Sequence, residues 1–408
     1  MKCRICGNSS FDTVLNMGKA PLVNSLIEKK DLDKNEPTFP LVVVRCRNCS
    51  LAQLKTIVDS QKIYRDQDYL YFTGDMPQQS QYIKAFDSLV SELHDRHTKK
   101  GDLIVEIGSN DGTVLGKMSM DRRILGVDPS TNVVVRALAG GVPTVAAPFL
   151  APVARSIKQE YGVAKVIGGA NCLAHIDDIH SVMEGVTTLL APDGVFWAEV
   201  NYWGGMVQNR HYALVYLDHY SYFSLQNWID ICRKHKLEIF DAFVTEAQGE
   251  GLSLRLFASR NKKQKKTERF IKIAAEEKKN KLNTKEAAIE YGIGCKKEAK
   301  KLYGVVTKLK KEGKTIAGYG AAAKGFSVLQ LAGINERHVD YFVDDSPAKQ
   351  GKYTPITHIP VISRKDAENR IPDYFFITAP NYADIIIAKE KAFIKRGGKF
   401  ILCDSTIV

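Results

Sequence analysis

One local pattern occurs twice in this chain and leaves few architectures open. An apolar strand runs into a Gly-rich turn, a helix follows, and the next strand ends on an acid. The first copy is Asp102-Leu-Ile-Val-Glu-Ile-Gly-Ser-Asn-Asp-Gly-Thr113, followed by Arg123-Ile-Leu-Gly-Val-Asp128. The second is Lys314-Thr-Ile-Ala-Gly-Tyr-Gly-Ala-Ala-Ala-Lys-Gly325, followed by Val339-Asp-Tyr-Phe-Val-Asp344. Strands joined in this way run parallel and need helices on both faces, so two Rossmann-like α/β units are expected. Later strands of the first unit fit Val163–Gly168, Gly194–Val200 and Ser253–Ala258, with a helix over Gln226–Lys236. Those of the second fit Asp373–Thr378 and Lys399–Asp404. Between 262 and 313 the chain is rich in Lys, Glu and Ala and has no proline, which predicts long helices ending at Gly313. With 408 residues, 44% of them hydrophobic, there is enough apolar material for two or three cored domains.

Ahead of the first unit stand two short cysteine pairs, Cys3-Arg-Ile-Cys6 and Cys46-Arg-Asn-Cys49. Four thiolates at this spacing can close a tetrahedral zinc site, and with no coordination position left open the ion is structural. Free thiols or a redox pair are the other readings of the same spacing. From Ser60 to about Lys100 aromatic residues cluster on a helical pattern, either as interdomain core or as substrate contacts.

The two Gly-rich turns differ in polarity. Gly108 and Gly112 let backbone approach a ligand, while Glu106 and Asp128 end adjacent strands, where carboxylates accept hydrogen bonds from ribose hydroxyls. The turn lacks the Gly-x-Gly-x-x-Gly spacing of a dinucleotide site. Asp111 in it would repel a pyrophosphate but favour the cationic S-adenosylmethionine (SAM). The second turn carries Lys324 and no acid, which suits an anion at a helix N-terminus, or simply tight helix–strand packing. Between the two, Tyr216-Leu-Asp-His-Tyr-Ser-Tyr-Phe-Ser224 crowds phenols around His219, and Asn171-Cys-Leu-Ala-His175 puts a second histidine after a strand end. Imidazole is suited to remove a proton from carbon beside a carbonyl, and a phenol can hydrogen-bond the enolate. Either histidine could equally be an ordinary core or surface residue.

A net charge of +12 is concentrated between Lys262 and Lys314, where glutamates interleave it, so it reads as solvated helix faces rather than a nucleic-acid surface. A nucleic-acid-binding protein built on zinc knuckles is therefore the weakest reading. Apolar runs such as Leu41–Val44 are too short to span a bilayer, and a cytoplasmic enzyme without membrane attachment is expected.

In order, the cysteine pairs, Glu106-Ile-Gly-Ser-Asn-Asp-Gly112, Ala170-Asn-Cys-Leu-Ala-His175, Gly318-Tyr-Gly-Ala-Ala-Ala-Lys-Gly325, Val343-Asp-Asp-Ser-Pro-Ala-Lys-Gln-Gly-Lys-Tyr353, Thr357-His-Ile-Pro360 and Pro380-Asn-Tyr-Ala-Asp384 resemble one family over nearly the whole chain. It is the sugar C-methyltransferases acting on nucleotide-linked 4-keto deoxysugars, which include the C-3' methyltransferase of tetronitrose biosynthesis. The resemblance implies an α/β fold with a class I SAM-dependent methyltransferase core. It divides the chain into a zinc-binding module (1–65), a SAM-binding domain (66–260), a helical connector (261–313) and a C-terminal Rossmann-like domain (314–408). It implies SAM contacts from Glu106, Gly108, Ser109, Asn110, Asp111, Gly112, Asp128, Pro129, Phe149 and Asn171. A thymidine- or guanosine-diphosphate sugar would meet Tyr69, Lys324, Asp344, Lys349, Tyr353 and Asn381. Tyr216, Asp218 and His219 fall on the family's Tyr-x-Glu-His motif, making His219 the candidate base, with His175, Tyr222 and Tyr71 as further candidates for catalysis. Asp218 replaces the usual glutamate, Ser80-Gln-Tyr82 stands where a histidine is common, and Leu252 replaces a glycine in Gln248-Gly-Glu-Gly-Leu-Ser-Leu-Arg255. The expected reaction is C-methylation through an enolate; O- or N-methylation of a sugar nucleotide is the alternative.

Overall fold

The computed structural model describes residues 1–22, 25–64, 69–247, 252–261 and 264–408. The expected boundary at 65–66, the Gly249 and Gly251 positions and residues 262–263 of the connector lie outside them. Alternating apolar residues form the antiparallel pair β1 (Phe11–Ala20) and β2 (Phe39–Cys46), extended by β3 (Ala52–Leu54). A short α1 (Ser60–Tyr64) follows, then α2 (Gln81–Arg96). Ser80 caps α2 by accepting from the Ile83 amide, and Tyr82, Ile83, Phe86, Leu89 and Leu93 are buried at helical spacing.

The first Rossmann-like unit comprises β4 (Leu103–Ile107), α3 (Thr113–Gly116), β5 (Arg123–Asp128), α4 (Thr131–Ala139), β6 (Thr144–Ala146), α5 (Ala151–Tyr161), β7 (Ala164–Ala170), α6 (Ile179–Leu189) and β8 (Leu190–Asn201). After α7 (Trp203–Asn209), β9 (Ser221–Tyr222) and α8 (Leu225–Lys234) come β10 (Glu238–Thr245) and β11 (Ser253–Ser259). The strand order is β10-β11-β8-β7-β4-β5-β6, with β4 to β8 parallel and β11 running against both β8 and β10. Order reverses between β4 and β7, the switch point beside which α/β sheets bind ligands. β9 lies within the stretch expected to be central, yet it pairs with β3 and extends the N-terminal sheet to β1-β2-β3-β9.

The connector is α9 (Glu268–Lys279) and α10 (Lys285–Lys311), capped by Thr267 and Thr284. The second unit is β12 (Ile316–Tyr319), α11 (Ala323–Ala332), β13 (Phe342–Val343), β14 (Val361–Ile362), β15 (Tyr374–Ile377) and β16 (Lys399–Ile401). All its strands are parallel, in the order β14-β13-β12-β15-β16, with a switch point between β12 and β15. Strand β16 is shorter than its apolar run because the chain turns at Leu402–Ser405 and comes back, Val408 pairing with Phe400.

Two cores tie the units together. Cys3, Ile5, Cys46 and Leu51 pack with Phe223 and Trp228 of the central unit. Leu15 of β1, Trp203, Tyr222, Tyr291 of α10 and Phe342 of β13 share the other. The helix α10 lies so close to β1 that a Cβ on Gly292 would sit 1.9 Å from the Val14 carbonyl oxygen, whereas one on Gly304 meets nothing within 4 Å. Alanine outranks glycine in a helix interior by about 1 kcal/mol. Gly304→Ala should therefore raise the denaturation midpoint of the protein and Gly292→Ala lower it, opposite signs for one substitution in one helix.

Candidate active site

Each cysteine pair closes on itself through backbone. The Gly7 amide donates to the Cys3 carbonyl with φ at +72°, and the Ser50 amide to the Cys46 carbonyl with φ at +64°. The four sulfur atoms lie within 4.8 Å of one another, Cys3 to Cys49 at 3.4 Å and Cys6 to Cys46 at 3.5 Å. A tetrahedral ion with Zn–S bonds of about 2.3 Å has sulfur–sulfur edges of about 3.8 Å, so the donor set fits zinc.

The crevices at the ends of both parallel sheets open into a single cavity of about 1040 Å³. On its central side, Gly108 has φ at +65°, and a Cβ there would fall 2.4 Å from that of Cys172. Asp128 accepts from the Asn110 and Ser130 amides. Glu106 is 3% exposed, and burial, with Asp128 and Asp111 nearby, pushes its carboxyl up to about 8. Its Oε2, the Ser109 hydroxyl and the Asn171 carbonyl oxygen have no partner among the described residues, although all three residues line the cavity. Polar atoms left open in this way can hydrogen-bond a ligand in the cavity. Pro129 and Phe149 add apolar wall.

Asp111 and Gly112 do not line the cavity. The Asp111 carboxylate accepts from the Gly74 amide at 2.9 Å and the Thr113 hydroxyl at 2.7 Å, with Arg136 at 3.7 Å. It braces the turn, and the expectation that it faces a sulfonium gives way to that role. Gly112 packs on Val142, where a Cβ would be 2.8 Å away.

Two histidines meet in the middle of the cavity, their ring centres 4.7 Å apart and their planes at 87°. The Nδ1 of His219 is 2.7 Å from the Leu214 carbonyl, its Nε2 is 2.7 Å from the Tyr216 hydroxyl, and the Asn201 amide nitrogen is 3.1 Å from Nδ1 and 3.2 Å from Nε2. The Nδ1 of His175 is 2.5 Å from the Tyr64 hydroxyl. Burial pushes His175 down to about 4, and burial with the charges of His175 and Lys324 lowers His219 well below the usual imidazole range. Both rings are therefore neutral at pH 7. Asp218, buried beside them with Oδ1 unpartnered among the described residues, is pushed up to about 7 by burial. The histidines are brought together by the Tyr220 amide, which donates to the Ala174 carbonyl at 2.8 Å, while the Leu54 amide donates to the Tyr220 carbonyl at 2.9 Å.

Tyr69 and Tyr71 line the cavity; Tyr222 does not. As a residue of β9 paired with Ala52, Tyr222 is fully buried in the core between Trp203 and His219, both ring centres 6.4 Å away, behind the cavity wall. On the C-terminal side, Lys324 donates to Asn381 at 2.7 Å, and Lys349 to the Ala321 carbonyl at 2.9 Å and to Asp344 at 3.2 Å, all around the second Gly-rich turn. Tyr353 is absent from this wall: it bridges Ile27 and Pro360, clasping the C-terminal unit to the N-terminal module. Tyr64, Tyr82 and Tyr382, none of them among the candidate site residues, also line the cavity. Tyr82 accepts from Asn171 at 2.9 Å. The aromatic run after Ser60 was the available signal for the first two.

A reversed strand in a seven-stranded sheet, an acid-ended crevice and a thiol cluster define a class I SAM-dependent methyltransferase carrying a zinc-binding module. Residues 3–64 match the family described as "Putative zinc binding domain", 79–241 the "Methyltransferase domain" and 248–403 the "C-methyltransferase C-terminal domain". The C-methyltransferase NovU of Streptomyces niveus is 33% identical over 98% of this chain and 94% of its own length. The chain belongs to this C-methyltransferase family, and it is a SAM-dependent enzyme. Among solved structures, magnesium protoporphyrin IX methyltransferase from Synechocystis PCC 6803 with bound SAH is 15% identical, covering 44% of this chain and 84% of that one at a TM-score of 0.36. A SAM-dependent methyltransferase from Clostridium acetobutylicum ATCC 824 is 11% identical, covering 46% and 93% at 0.35. Among the described residues, no helix is long and apolar enough to cross a membrane.

The thiol module carries the strand after His219, whereas Glu106 and Asp128 stand on the central sheet. Cys46→Ser or chelation should release zinc, measured by metal analysis, and lower the thermal transition. It should reduce turnover at least tenfold while changing SAM affinity less than threefold.

Proposed function

We propose that the enzyme methylates carbon, at C-3 of the sugar, in a nucleoside-diphosphate 4-keto-deoxysugar through an enolate. The observation that carries this is the pair of neutral histidines 4.7 Å apart in a cavity shared by two Rossmann-like crevices of opposite polarity. The acidic crevice with Glu106 and Asp128 is assigned to SAM, and the crevice with Lys324 and Lys349 to the diphosphate. On this reading the sugar spans the middle, and residues 1–65, 66–260, 261–313 and 314–408 are the zinc module, methyl-donor domain, connector and nucleotide domain.

SAM supplies an electrophilic methyl group. The chain's own part is to handle a proton. The Leu214 carbonyl accepts from His219 Nδ1, so the lone pair of the neutral ring is on Nε2. That atom takes the proton from C-3, acidified by the C-4 ketone; the C–H electrons pass into the enolate, whose carbon then bonds to the methyl group as the sulfur–methyl bond breaks, its electron pair leaving on the now neutral sulfur. The proton leaves from Nε2 to solvent, and the Tyr216 hydroxyl, 2.7 Å away, holds the ring between turnovers. General-base action of this kind is worth about 10²–10⁴-fold.

His219→Asn should cut methyl transfer by at least a hundredfold and abolish solvent deuterium exchange at C-3 of the keto sugar, with SAM affinity by calorimetry unchanged. Methylation of a sugar lacking the ketone, without exchange, would sink the enolate reading. For the donor crevice, hydroxyls donating to Glu106 favour its ionised form, so binding releases a proton below the free-protein value of about 8. SAM affinity should rise with pH up to about 8 and then level, and Glu106→Gln should flatten that dependence.

A further inference from the structure

We propose that Tyr64 is a positioning residue that fixes His175 as its Nε2–H tautomer, so that the cavity holds one histidine bearing a lone pair and one bearing a proton. The inference rests on the enolate reading for its purpose and on hydrogen-bond geometry for its content.

Each ring pairs with one phenol and faces one backbone carbonyl, but the phenol meets Nε2 of His219 and Nδ1 of His175. A backbone carbonyl can only accept, so Leu214 demands the proton of His219 on Nδ1 and leaves Nε2 basic. His175 instead presents Nδ1 to a phenol at 2.5 Å. Phenol oxygen is a poor acceptor and imidazole nitrogen a good one. Tyr64 also keeps its proton, because burial and the nearby Asp218 charge raise its hydroxyl well above the usual range. The bond therefore runs from the Tyr64 hydroxyl to the His175 lone pair, and the neutral ring must carry its hydrogen on Nε2. His175 lines the cavity, and the two rings meet edge to face.

A neutral imidazole N–H is a donor that does not itself release its proton near pH 7. Beside a base it suits the oxygen of a forming enolate, which gains charge as the C-3 proton leaves. Removing one such donor costs about 10²–10³-fold in turnover. Tyr64 touches His175 and acts through it. It reaches the site from α1 of the N-terminal segment, so the thiol module contributes to the donor as well as to the base.

The test uses the full-length protein with 15N-labelled histidine and reads the tautomer directly, without substrate. The expected spectrum has protonated Nε2 and bare Nδ1 at His175, the reverse at His219, and a mixture of tautomers at His175 in Tyr64→Phe. Tyr64→Phe should also lower kcat for solvent exchange and for methyl transfer by the same factor, tenfold or more, with KM for SAM unchanged. In His175→Gln, whose amide donates without help from Tyr64, adding Tyr64→Phe should cost less than threefold. Protonated Nδ1 at His175 in the wild-type protein, or an unchanged spectrum and kcat in Tyr64→Phe, overturns the proposal.

Discussion

The peptide of Tyr220 is the joint on which the histidine pair hangs. Its amide is bonded to the carbonyl of Ala174, one residue before His175, and its carbonyl to the amide of Leu54 in the N-terminal sheet. The next residues, Ser221 and Tyr222, continue that sheet against Gln53 and Ala52. The Arg4 guanidinium, inside the first cysteine pair, lies 5.8 Å over the Tyr220 ring, and the Tyr220 hydroxyl donates to the Val58 carbonyl. These bonds satisfy backbone groups that would otherwise be buried unpaired, each at a cost of about 1–3 kcal/mol. The joint thus sets the distance between two imidazoles by a chain of short, directional contacts. A structural zinc site, far too coordinatively closed for chemistry, acquires a clear purpose: it orders the sheet edge that receives the histidine segment.

The alternating or continuous apolar runs made both α/β units legible, since strand, turn and helix are local patterns and each buries its own face. Cys3, Cys6, Cys46 and Cys49 were equally legible, because metal spacing is a local signal and the long interval between pairs costs little to close. What could not be read was anything settled by distant pairing. Tyr222 has the same residue type and neighbourhood as Tyr216, and only its place in β9 turns it into the core. Asp111 sits in the turn where a charge seemed meant for the ligand, but the Gly74 amide and Thr113 claim it. Tyr353 lies in a motif of the C-terminal unit and is spent on Ile27, at the other end of the chain.

Burial without a partner has a different meaning at each acid of the site. Asp128 accepts from two amides, which offset part of its desolvation. Glu106 has an open oxygen and a carboxyl raised to about 8, and Asp218 an open oxygen and a carboxyl raised to about 7. A carboxyl in this condition is held ready for a donor that only the bound state brings. Ionised glutamate at position 218 would reach one methylene further toward the histidines. The aspartate is one methylene shorter, so the departure at this position alters the shape of the cavity beside His219 without changing the kind of group there.

Opposite polarity in two crevices of one fold type gives the cavity a direction. The central turn offers carboxyls and open acceptors, and the C-terminal wall offers Lys324, with Lys349 and Lys389 paired to Asp344 and Asp345. Cations and hydroxyl donors are favoured at one end and anions at the other, so two ligands of unlike charge sort themselves before any contact at the centre is made. Between the ends the walls are phenols and imidazoles whose hydrogen-bonding sense is fixed by their partners, with the Asp218 carboxyl, raised to about 7, beside them. Donors and acceptors held in this way need no reorganisation when charge develops beside them.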